Sequence, residues 1–111
     1  MMVDEVLSNL CDNAIKYNRP DGTVQVRLEQ DYAHTILCVS NTGPAIPPDA
    51  QAHIFERFYR ADASRSQEVP GTGLGLSIVK HICEIHEASI TVTSEPDHTV
   101  FKVCFRMEDM I

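Results

Sequence analysis

The chain has 111 residues, 43% hydrophobic and 23% charged, which admits one domain with a modest core and excludes a disordered tail. Nine Lys and Arg against sixteen Asp and Glu give a formal charge of -7, so the surface as a whole repels nucleic acid and anionic lipid. No apolar run reaches the roughly 18 to 20 residues that cross a membrane and the N-terminus lacks the regions of a signal peptide, which points to a soluble, cytosolic segment.

Val3, Val6, Leu7, Leu10, Cys11, Ala14 and Ile15 recur at i, i+3, i+4 spacing and predict an amphipathic helix from Val3 to Ile15. Asn18-Arg19-Pro20-Asp21-Gly22 ends it near Tyr17, because Pro disfavours helix in the residue before it and Asp-Gly favours a turn. Val24, Val26 and Leu28 alternate with Gln25, Arg27 and Glu29, predicting a half-buried strand from Thr23 to Glu29. A second strand, His34 to Val39, completes an antiparallel hairpin.

Asn41 to Gly75 holds four of the six prolines and four of the five glycines, with one short helical stretch around Asp49 to Phe55. A segment this long with so little regular structure is normally functional in a small domain. A helical pattern resumes from Leu74 to Ile85, and His86-Glu87-Ala88-Ser89 offers no glycine to cap it. Ile90 and Val92, then Phe101, Val103 and Phe105, predict two closing strands around a turn at Glu95-Pro96-Asp97. This order predicts an α+β sandwich with helices on one face of a mixed sheet.

The four cysteines, Cys11, Cys38, Cys83 and Cys104, show no metal spacing and read as reduced structural thiols. The five histidines are equally scattered, and no metal site is expected among them.

Three constellations could carry chemistry. On the first helix Glu5, Asn9, Asn13 and Lys16 border the apolar stripe. Asn is a poor helix former, so two at i, i+4 ask for a reason beyond solvation. An Asn oxygen can coordinate Mg²⁺, and Lys16 one turn on can reach a phosphate. The second is Gly71-Thr72-Gly73-Leu74-Gly75-Leu76-Ser77, glycines opening a helix whose free backbone donors suit an anion; a flexible connector is the plainer alternative. The third is Ser40-Asn41-Thr42-Gly43-Pro44-Ala45-Ile46-Pro47 at a strand end, which a structural turn explains equally well.

Together these stretches resemble a known family. Asn9 to Tyr17 resembles the N box of the GHKL ATPases, Asn41 to Ile46 the first glycine box, Phe55-Glu56-Arg57-Phe58-Tyr59-Arg60 the F box of sensor histidine kinases, and Gly71 to Ser77 the second glycine box. The resemblance implies a two-layer α/β sandwich of the Bergerat type over residues 1–111, binding ATP with Mg²⁺. By that resemblance Asn13 holds the metal, Asn9 lies beside metal and phosphates, Lys16 contacts phosphate, and Tyr17 packs near the adenine. Asn41 takes the place of the adenine-reading Asp, Gly43 admits the base, and Ile46 closes that box. Gly71, Gly73, Gly75 and Leu76 offer backbone donors to phosphate, and Thr72, Leu74 and Ser77 complete their box. Pro47 to Pro70 becomes the ATP lid, anchored by Phe55 and Phe58, with Arg57 or Arg60 available to phosphate.

Two departures stand out. Asn41 replaces Asp and Ala45 replaces the second glycine of its box; similar Asn-x-Gly-Pro sequences occur in kinases resembling the heavy-metal sensors, and Arg60-Ala61-Asp62-Ala63-Ser64-Arg65 is similar to that subgroup. A neutral amide accepts a hydrogen bond about half as strong as a carboxylate does. By turning over it can also donate, so weaker discrimination of ATP from GTP is expected.

The implied reaction is transfer of the γ-phosphoryl group to a histidine on a separate dimerisation domain and then to a response regulator. The parent would be a bacterial inner-membrane sensor kinase, with this domain in the cytoplasm. None of the five histidines has the acceptor context. The alternative is a non-catalytic nucleotide-binding or protein-interaction module. Family domains carry a further strand and helix before the N box, so an N-terminally truncated domain is expected, with an uncovered sheet edge or helix face and marginal stability or self-association. The charge of -7 leaves room for a polyanionic ligand, because Mg²⁺, Lys16 and a helix N-terminus make one site locally positive.

Overall fold

The computed structural model describes residues 3–56 and 75–106. The chain runs α1 (Val3–Lys16), β1 (Val24–Gln30), β2 (His34–Asn41), α2 (Pro48–Gln51), α3 (Gly75–Ile85), β3 (Ser89–Glu95) and β4 (His98–Arg106). The strands form one sheet in the order β1-β2-β4-β3. Every ladder among the described strands is antiparallel, where a mixed sheet was expected. The reason is connectivity: β1–β2 and β3–β4 are hairpins with short turns, which force antiparallel pairing, and the hairpins join along β2 and β4.

Register decides what the sheet presents. Val24, Val26 and Leu28 stand opposite Asn41, Val39 and Leu37. The latter three stand opposite Thr99, Phe101 and Val103. All lie on the face where Val6, Leu10 and Ala14 of α1 and Val79, Ile82 and Cys83 of α3 join Leu37, Val39, Phe101, Val103 and Phe105 in one buried core. α1 packs against α3 and over β2, and α3 reaches β3. β1 lies at the margin of that cover, and every residue in it is exposed. The half-buried strand expected there is corrected accordingly: Leu28 is 62% exposed where Leu37, its cross-strand partner, is 3% exposed.

Two local solutions replace expected ones. The short helix ends at Gln51 rather than Phe55, and the turns that follow bury Ile54. At the end of α3, Glu87 takes the left-handed conformation (φ 54°) usually left to glycine. The Ala88 N–H closes on the Cys83 carbonyl at 2.8 Å, the long bond of a Schellman cap. The missing glycine is thus replaced by a strained Glu, whose carboxylate lies 3.0 Å from Arg106 Nη2.

Candidate functional site

The polar edge of α1 is built by helical spacing. Asn9 and Asn13 are half-buried one turn apart, with Lys16 exposed at the helix end and half-buried Tyr17 just beyond. The Asn9 Nδ2 donates to the Glu5 carbonyl at 3.0 Å, which commits the nitrogen and leaves the oxygen. That oxygen sits 3.4 Å from where a Cβ on Gly75 would stand. The first residue of α3 therefore lies against the N-box edge of α1. The start of α3 brings backbone N–H groups without helical partners and a partial positive charge to the same place.

The loop after β2 forms the second wall. Asn41 ends β2 and is 8% exposed. Its Nδ2 donates to the Thr42 carbonyl at 2.6 Å; turned over, the amide would set oxygen against oxygen, so this contact fixes which atom is which. No donor among the described residues reaches the Asn41 Oδ1. Within a residue this buried, an acceptor that lacks a donor is costly to leave unpaired and is free to meet one from a ligand. Gly43 follows at φ 118°, and a Cβ there would stand 2.8 Å from the Tyr17 carbonyl oxygen. Glycine is required on both counts, and it lets the loop close against the end of α1.

Hydrogen bonds from distant segments brace this loop. The Gly43 N–H donates to Asp97 Oδ1 at 3.2 Å, and the Asp97 N–H donates to the Gly43 carbonyl at 2.9 Å. Arg19 Nε donates to the same Asp97 oxygen at 2.8 Å. The Arg19 bond, then the Gly43 N–H, hold the Asp97 carboxyl below the usual carboxylate range. On the other side Thr42 Oγ1 accepts the Thr23 N–H at 2.8 Å and donates to Asn18 Oδ1. The Ile46 N–H donates to Ser94 Oγ at 2.8 Å, and Ser94 Oγ meets Thr99 Oγ1 at 2.6 Å.

Thr99, directly across from Asn41, is a polar residue at a buried position of β4. Sequence reasoning passed over it, although it breaks the apolar set Phe101, Val103, Phe105 on that face. Arg19, Ser94 and Asp97 were missed too.

Beyond Ile46, Phe55 stands edge-to-face on Phe101, with ring centroids 6.2 Å apart, and Lys80 Nζ lies 6.0 Å from the Phe55 ring centre. Phe55, expected as a lid anchor, therefore meets the core directly. Arg57, Phe58, Arg60, Gly71, Thr72, Gly73 and Leu74 lie outside the described residues. Gly75, Leu76 and Ser77 open α3 and are half-buried, with the Leu76 side chain packed against the core. The structure thus brings Asn9 to Gly75 and the end of α1 to Gly43.

All four cysteines are free, and burial pushes the Cys83 and Cys11 thiols up, keeping them protonated. Among the described residues no three His, Cys, Asp or Glu converge as a metal cluster, and of the amides on this edge of α1 it is the Asn9 oxygen that faces Gly75. Among the same residues no helix is long and apolar enough to cross a membrane.

Residues 1–109 match the family described as histidine kinase-, DNA gyrase B-, and HSP90-like ATPase. The probable sensor histidine kinase TcrY of Mycobacterium tuberculosis is 42% identical over 99 residues, covering 89% of this chain and 21% of its own length. The chain therefore spans about a fifth of that curated relative. The solved structure of the mycobacterial sensor histidine kinase MprB superposes with a TM-score of 0.80 at 38% identity, over 92% of this chain and 70% of that one. Full-length ShkA, crystallised in complex with AMPPNP, gives a TM-score of 0.79 at 30% identity, over 93% of this chain and 21% of that one.

Proposed function

Because this chain belongs to the histidine kinase-, DNA gyrase B-, and HSP90-like ATPase family, we propose that it binds ATP between α1, the Asn41–Ile46 loop and the start of α3. There it acts as the catalytic domain of a two-component sensor kinase. The observation that carries this reading is the Oδ1 of the buried residue Asn41, which no donor among the described residues reaches, close to a glycine that admits no side chain. An adenine 6-amino group is a donor of the kind that oxygen lacks.

Around that anchor the other residues take their expected roles. Gly43 keeps the base site open, with Tyr17 and Ile46 at its sides. Asn9 and the first turn of α3 meet where the phosphates would run, and Lys16 reaches them from the end of α1. By the family resemblance, Gly71, Thr72, Gly73 and Leu74 would add donors to phosphate, and Arg57, Phe58 and Arg60 would belong to the lid. The amide oxygen of Asn13 would hold Mg²⁺ together with phosphate oxygens, a donor set suited to a hard cation that keeps few protein ligands. When bound, the metal supplies charge neutralisation for phosphoryl transfer; the chain supplies position.

The γ-phosphoryl group would pass to a histidine on the dimerisation domain of the same parent protein and then to a response regulator, with this domain on the cytoplasmic side of the membrane. The test is to mix the chain with that dimerisation domain, Mg²⁺ and γ-labelled ATP. Acid-labile label on the acceptor is expected, and Asn13→Ala should abolish it. ATP binding without transfer by the unsubstituted chain would sink the kinase reading, and undiminished transfer by the variant would sink the metal assignment.

A further inference from the structure

The turn between β3 and β4 lies far in sequence from the residues assigned to nucleotide, yet it grips the loop that presents Asn41. The Thr42 carbonyl and the Gly43 N–H belong to one planar peptide group. Asp97 Oδ1 accepts that N–H at 3.2 Å, and the carbonyl of the same plane accepts Asn41 Nδ2 at 2.6 Å. The Asp97 N–H holds the far side of Gly43 through its carbonyl at 2.9 Å, and Arg19 Nε braces the carboxylate at 2.8 Å. Rotation of the plane would release both bonds together. With the plane fixed, the Asn41 nitrogen is spoken for and its oxygen is the atom left to pair.

Asp97 itself sits at φ 60° behind Pro96, a two-residue turn whose second position asks for Gly or Asn. An Asp held there at a cost in backbone strain has a carboxylate that a glycine would not supply. Its placement is the independent sign that the carboxylate has a task.

We propose that Asp97, braced by Arg19, is a positioning residue that fixes the Asn41 amide as an acceptor and thereby selects adenine over guanine. The inference rests on the reading of Asn41 as the base-contacting residue. Adenine presents a 6-amino donor and guanine a 6-oxo acceptor. An amide free to turn serves both, whereas an amide held by the Thr42 carbonyl serves only the first. The weaker ATP discrimination expected from Asn in place of Asp is thereby offset by a device elsewhere in the chain.

The experiment is competition of unlabelled ATP and GTP against a fluorescent ATP analogue on the 111-residue chain, with thermal melting of each variant. The unsubstituted chain should prefer ATP. Asp97→Gly, which suits the positive φ but removes the carboxylate, should leave the melting temperature unchanged or raised while the ATP-over-GTP ratio falls about fivefold, the worth of one hydrogen bond. Arg19→Ala should lower the ratio less, and Asp97→Asn, which keeps an acceptor and tolerates the turn, should restore it. A ratio in Asp97→Gly within twofold of the unsubstituted chain overturns the proposal, as does an equal loss of both nucleotides that tracks a lower melting temperature. Asn41→Ala separates the two levels: if it leaves the ratio unchanged, Asn41 does not read the base, and the underlying reading falls with the proposal.

Discussion

β1 and β2 set paired apolar side chains on the same face of the sheet and end in opposite environments. Val26 and Val39 are cross-strand partners on one face of the sheet, yet Val26 is 47% exposed and Val39 is 1% exposed. The difference lies outside both strands, in where α1 and α3 come to rest. Alternation specifies which side of a strand is apolar; a helix on that side decides whether the apolar side is worth anything to stability.

The largest effect expected from this contrast is at the covered end of the sheet. Phe105 is fully buried in β4, and Phe105→Ala should cost about 3 to 5 kcal/mol by lost transfer and a residual cavity. Chemical denaturation would measure it, and a loss below about 1 kcal/mol would mean that the core tolerates collapse there. The sharper comparison uses the partnered valines. Val39→Thr buries a hydroxyl among apolar neighbours and should cost about 1 to 3 kcal/mol, whereas Val26→Thr should stay within about 0.5 kcal/mol of the starting chain. Equal costs for the two would show that β1 is covered in solution.

The same contrast explains how far the sequence could be read. Asn9 and Asn13 were visible because an amide at a helical position opposes helix propensity and so demands a reason. The first glycine box was visible because glycines and prolines punctuate it. Thr99 hid inside a strand pattern in which threonine is an ordinary residue. Arg19 and Asp97 hid for a different reason: they are 78 residues apart, and Asp97 is 54 residues from Gly43. Such a bond exists only once hairpin and loop have been folded together. The exposure of β1 was unreadable on the same ground, since nothing within Val24 to Gln30 records where α1 lies.

A gain of stability should come from the end of α3. Glu87 at φ 54° fills a position that glycine occupies without strain, so Glu87→Gly should stabilise by about 1 kcal/mol. Its ion pair with Arg106 is exposed on both sides and offsets little of that. A lower melting temperature in the variant would show that the pair outweighs the backbone.

The smallest effect compares the tips of the two hairpins. Asp31 accepts the Ala33 and His34 N–H groups at 2.8 and 2.6 Å, and these backbone bonds hold its carboxyl below the usual carboxylate range. Asp97 is held low in the other hairpin by Arg19 first and the Gly43 N–H second. A carboxyl whose folded pKa is depressed contributes fully above its unfolded value, about 3.9, and its contribution is lost as pH falls through the folded value. Both tips should therefore loosen only in acid below about pH 4, with no change between pH 6 and 8 from either. Salt separates them by degree, because screening weakens the leading bond to Arg19 at Asp97, whereas at Asp31 the two backbone bonds lead and the His34 imidazole 3.8 Å away adds only the smallest part. Stability measured against pH at low and high salt, for Asp31→Asn and Asp97→Asn, should show the larger salt-sensitive part of the acid limb removed by the second substitution. If both substitutions remove the same salt-insensitive limb, the Arg19 pair contributes nothing in solution and the backbone bonds alone hold both turns.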